Sequence, residues 1–188
     1  MKRFPLERYA SLELNQVAFP KTGMVVSQVP LGAAFTESAP CENGMWVVAD
    51  KAAGTINAAT SAINKPMGIV YTTEKEYNPY FAGLKNFYKV AGEYPRVGIL
   101  GIGDTVTTNC LQYDESEYKD ASGAAEHSAV LAALANIETT PMYVVPVTGS
   151  AVPKLTATKP TSGMYAKVVK FYSVPNGEKG VKYQIISL

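Results

Sequence analysis

The stretch Tyr94–Asn109, YPRVGILGIGDTVTTN, sets Gly98, Gly101 and Gly103 among apolar residues, and its reading decides between two kinds of protein. A dinucleotide-binding turn needs G-x-G-x-x-G between a strand and a helix, so that backbone N–H groups and the helix N-terminus reach the pyrophosphate. Here the order is G-x-x-G-x-G, and the DTVTTNCLQY that follows has the Thr and Val content of a strand. The chain also contains no Gly-Lys-Ser or Gly-Lys-Thr, which removes the P-loop. The passage therefore predicts a strand over Arg96–Ile102, a tight Gly103-Asp104 turn, and a second strand from Thr105.

Working outward, the same β character recurs. GMWVVAD from Gly44 is a short apolar run between turn residues, and PMGIVYTT puts Met67, Ile69 and Tyr71 on one side of a strand and Gly68, Val70 and Thr72 on the other. PMYVVPV reads as a strand. MYAKVVKFYSV and VKYQIISL flank Pro175-Asn176-Gly177, a hairpin signal. One helix stands out, the Ala-rich segment near 122–136, with Asp120 or Ser122 as cap and Val130, Leu131, Leu134 and Ile137 as its apolar stripe. A short helix after Pro79 is the second candidate. The expected fold is mainly β, a compact β-barrel or β-sandwich with one or two helices.

Residues 1–40 have a different texture. Pro5, Pro20, Pro30 and Pro40 forbid a long helix, while Phe4, Leu6, Tyr9, Leu12 and Leu14 exceed what a plain disordered tail carries. This predicts an extended N-terminal arm preceding a β-rich globular domain over 41–188. The arm docks on its own body or on a neighbouring copy, and composition leaves both open. On the second alternative, removing residues 2–30 leaves the body folded and weakens assembly, with Phe4, Leu6, Tyr9 and Phe19 as interface anchors.

Composition narrows the function classes. The 188 residues carry a formal net charge of +1, so there is no basic excess to neutralise a nucleic-acid backbone. The Lys2-Arg3 start runs into Pro5, Glu7, Arg8 and Glu13, and no stretch of eighteen apolar residues follows; neither a secretory signal nor a membrane span is expected. Synthesis and solubility in the cytoplasm are the corresponding expectation. Cys41 and Cys110 are too few and too far apart for a disulfide framework or metal knuckle, which favours buried free thiols. His127 is the only histidine and lies in the helix, with no G-x-S-x-G elbow to serve. The acidic run DESEYKD (114–120) lacks the alternating spacing of a calcium loop and reads as a solvated turn feeding the helix N-terminus. Tyr71, Tyr77, Tyr80, Phe81, Phe87, Tyr88 and Tyr94 crowd one region, as core, protein interface or sugar platform. No catalytic, metal or cofactor site is expected.

The segment order carries a resemblance. A proline-punctuated arm, then GMWVVAD, INKPMGIVYTTEKEY, YPRVGILGIGDTVTTN and the closing VPNGEKGVKYQIISL resembles the head-decoration, or capsid cement, proteins of tailed bacteriophages. The likeness is one of style and order over residues 40–110 and the C-terminal hairpin. It implies a non-enzymatic virion structural protein on the capsid surface, made in the host cytoplasm, whose partners are the major capsid protein and copies of itself. The charge balance and the lack of a long apolar run already speak against a nucleic-acid or membrane partner. The chain is longer than the smallest cement proteins. A tail-tube or head–tail joining protein, or in another class a carbohydrate-binding β-module, are the alternatives.

Overall fold

Residues 94–109 do form two strands, but the strands belong to different sheets. The computed structural model describes residues 1–6, 9–13, 17, 24–50, 52–59, 67–72, 88–119, 127–173 and 177–188. Its seven-stranded sheet is built from β1 (Lys2–Arg3), β7 (Thr105–Thr108), β8 (Gln112–Tyr113), β9 (Tyr143–Val147), β10 (Ser150–Thr156), β11 (Tyr165–Ser173) and β12 (Lys179–Ser187), ordered β1-β8-β10-β9-β11-β12-β7. The five-stranded sheet holds β2 (Val25–Val26), β3 (Trp46–Asp50), β4 (Thr55–Asn57), β5 (Gly68–Val70) and β6 (Val97–Ile99), ordered β2-β6-β5-β3-β4. The turn between β6 and β7 hands the chain from one sheet to the other. It is closed by Asp104 N–H to Gly101 O (3.1 Å) and by the Asp104 carboxylate accepting from Gly101 N–H (2.6 Å). Gly103 sits in it at φ +97°, where a side chain would be strained. The expected hairpin reversal is thus a crossover: β6 pairs with β5 and β2, whereas β7 pairs with β12.

The two sheets share one core. Trp46, Met67 and Ile69 of the smaller sheet meet Val106, Val144, Ala166 and Tyr183 of the larger one, and the helix α1 (His127–Ala135) adds Val130 and Leu134. At its centre Trp46 Nε1 donates to Tyr183 Oη at 2.8 Å, with the rings edge to face. The other face of the smaller sheet buries Val47, Val70 and Val97 in a second core with Leu31, Phe35 and Cys41. Burial on both faces explains why MWVV and GIV are continuous apolar runs rather than alternating ones. The fold is mainly β, two sheets packed as a sandwich; neither closes into a barrel, and in the larger sheet the end strands β1 and β7 do not pair with each other.

The expected helix is α1 over His127–Ala135, with Leu131 and Ile137 half-buried against the core beside the buried Val130 and Leu134. Its expected caps Asp120 and Ser122, the helix after Pro79, and Pro175-Asn176 of the hairpin turn lie outside the described residues. Strand β10 was not expected. Pro153 interrupts its sequence pattern, and the structure places Pro153 where the register with β9 slips, a site that demands no ladder N–H.

Candidate functional site

The arm is the first place to look for a site, since the anchors expected from sequence lie there. Its described part is seated on its own chain. Lys2 and Arg3 pair with Tyr113 and Gln112, Phe4 N–H donates to Leu111 O, and farther on Leu12 bridges Thr108 while Glu13 N–H donates to Thr107 O. The segment therefore lines both β8 and β7, extending the larger sheet past β8 as β1 and bridging β7 at Leu12. Phe4 and Tyr9 are 1% and 4% exposed, so as seated they present no surface to a partner. Phe4 fills the main core against the His127 ring (5.1 Å between centroids). Leu6, in contrast, is 78% exposed, and Phe19 lies outside the described residues.

A charge clamp fixes the arm. Arg3 donates from both terminal nitrogens to the Glu42 carboxylate (2.8 and 2.7 Å), and Glu42 also accepts from Ala10 N–H at 2.6 Å. Glu42 is 3% exposed, and its burial is tolerable because three donors satisfy it. Arg3 and Glu42, with Tyr9, Phe35, Met45 and Val152, line a cavity of about 490 Å³. The two charges on its wall neutralise each other, which leaves the cavity without a free charge of theirs to orient a ligand.

The thiols and His127 are the side chains with intrinsic reactivity that the sequence singled out. Cys41 and Cys110 are buried and free; burial pushes the Cys110 thiol up to about 12 and Cys41 higher still, so neither supplies a thiolate near neutral pH. Burial, and secondarily Lys2, lowers the His127 pKa, while Glu178 opposes the shift. His127 touches the Phe4 and Tyr113 rings. Among the described residues no group of three or more His, Cys, Asp or Glu is arranged to hold a metal ion. The acidic run forms an exposed turn in which Asp114 accepts from Ser116 N–H and Oγ, holding its carboxyl below the usual range, and Glu117 pairs with Lys154 at 3.2 Å.

Among the described residues two surfaces stand out. The first is the outer edge of the smaller sheet, where β2 pairs only with β6 among the named strands and leaves Met24 and Val25 54% and 40% exposed. The opposite edge, β4, is covered by residues 30–32 through Ile56 N–H to Pro30 O and Gly32 N–H to Ile56 O. The second is the solvent face of the β11–β12 hairpin. Its register shifts twice, between Val168 and Lys170 and between Tyr165 and Ala166. The extra residues at these bulges are Val169 and Ile186, and both point outward. Sequence reasoning missed this face, although the doublets Val168-Val169 and Ile185-Ile186 interrupt strict alternation and signal it. Of the aromatic group, Tyr94 is exposed and Tyr71 holds the Arg96 guanidinium over its ring at 4.8 Å; residues 73–87 lie outside the described set.

Searches against protein families, curated proteins and solved structures find no match to this chain.

Proposed function

We propose that this chain is a non-enzymatic virion structural protein that decorates and stabilises the outside of a tailed-phage capsid in many copies. The observation that carries the reading is the apolar edge at β2, on a body whose arm and opposite edge are already occupied. A stiff β body loses little entropy on binding, and an edge with a strand on one side only among the described residues offers main-chain hydrogen bonds to an added strand while Met24 and Val25 supply apolar contact. Repetition on a lattice multiplies a modest single-copy affinity. The segment order that resembles cement proteins supplies the identity of the lattice.

The test is co-sedimentation with mature and immature capsids. Binding is expected and is lost in Val25→Lys, whose exposed position leaves the fold intact. Failure of the unaltered protein to bind either form sinks the decoration reading. Rings or tubes formed by a protein that binds neither capsid form favour the tail-tube or joining alternative, which α1 packed against the sheets also suits. Glycan binding lost in Tyr94→Ala favours the carbohydrate module.

A further inference from the structure

We propose that copies of this chain associate head to tail, the basic outer face of the β11–β12 hairpin docking on the acidic Asp114–Glu117 turn of the next copy. The face is internally frustrated. Lys170 stands directly opposite Lys182 in the register, and like charges so placed repel. Lys167 lies on the same hairpin, one row away opposite Gln184. No carboxylate among the described residues forms an ion pair with any of the three. The strands themselves, Tyr165–Ser173 and Lys179–Ser187, contain no acidic residue at all. The bulges add Val169 and Ile186, and Leu188 is also exposed, so the face combines positive charge with an apolar centre, the make-up of a docking surface.

The complementary surface is on the same chain. Asp114, Glu115 and Glu117 place three carboxylates within four residues of an exposed turn; Lys154 pairs with Glu117, and Asp114 feels the same lysine and the N-terminal ammonium at longer range. That turn follows β8, which β10 and β9 separate from the hairpin in the strand order. Two different patches that attract each other make a heterologous contact, which closes into rings or runs on as an open array. This contact joins two copies and needs no shell, so its test is separable from that of the decoration reading.

Sedimentation velocity over a concentration series, with no capsids present, reads the association. The expected result is self-association at low salt that weakens at high salt. Lys170→Glu/Lys182→Glu and Asp114→Lys/Glu115→Lys should each weaken it at least about tenfold, the loss of two or more charge pairs. An equimolar mixture of the two variants should restore it, because each then offers the charge the other has lost. Trp46 fluorescence verifies folding, and the neutral Lys170→Gln/Lys182→Gln pair replaces the glutamate variant if that one fails to fold. A monomer at every concentration in low salt, or a mixture that stays monomeric, overturns the proposal. So does loss of association in the lysine variants alone, which would place the partner surface elsewhere. Engagement of the face by a DNA oligonucleotide with no engagement by a second copy overturns it as well.

Discussion

Tyr183 shows at single-residue scale how the two sheets are tied. Its hydroxyl is the acceptor for Trp46 Nε1 across the main core, and both side chains are fully buried. Tyr183→Phe keeps the ring and the packing but leaves the indole N–H buried without that acceptor, a cost of about 1–3 kcal/mol. Urea unfolding followed by the fluorescence of Trp46, the only tryptophan, should show this loss together with a shifted emission maximum. An unchanged midpoint would mean that water or another acceptor replaces the hydroxyl. The thiols make a second residue-scale prediction. Burial holds both in the protonated form, so a thiol reagent at pH 8 should modify neither in the folded protein and both in denaturant. Rapid labelling of one in the native state would show that its side of the fold opens. Gly44 was legible only as a turn residue. In the structure it takes φ +93°, and an added Cβ would stand 2.5 Å from Cys110 Cβ, so the same residue seats the thiol against the strand.

Among the elements, legibility followed how local each signal was. The turn chemistry at Gly177 and the alternation of Val181, Tyr183 and Ile185 are local, and the β11–β12 hairpin emerged as expected. What local pattern does not encode is which sheet a strand joins. The β6–β7 passage reads as a hairpin because its turn is tight, yet Asp104 uses that turn to carry the chain across the sandwich. Pro153 hid β10 for the opposite reason, since a proline that ordinarily argues against a strand is tolerated at a register slip. The α1 helix meets the arm through His127, and this contact has a pH signature. Because burial lowers the folded-state pKa, neither state is protonated well above pH 6.5 and the contribution to stability is complete there. As pH falls below 6.5 the unfolded chain takes the proton first, and stability drops until the folded-state value is passed. The melting temperature should therefore fall between pH 7 and 5.5, and His127→Gln should flatten that slope. Equal slopes in the two proteins would remove His127 as its source.

Taken as a whole, the molecule makes the described part of the arm part of the body. Sequence alone allowed an arm that could be removed while the β domain stayed folded, because proline spacing reveals extension but not its destination. The destination is the gap between β7 and β8, where residues 2–4 and 11–13 hydrogen-bond to both strands. Burying Phe4 and Leu12 alone contributes about 3–6 kcal/mol, against a typical total of about 5–15 kcal/mol for a domain. Removing residues 1–13 also frees the edges of two strands and leaves Glu42 buried without Arg3. The truncated chain should lose cooperative unfolding, and Phe4→Ala should cost about 3–5 kcal/mol. Leu6→Ala, at a position exposed to solvent, should change stability by less than about 0.5 kcal/mol. Thermal unfolding by circular dichroism distinguishes these cases, and a synthetic peptide of residues 1–13 should recover the transition when added to the truncated chain. A truncated protein that melts cooperatively at the full-length temperature would show that the arm merely rests on the body. Its anchors would then be free for a neighbour, as the texture of the sequence first allowed.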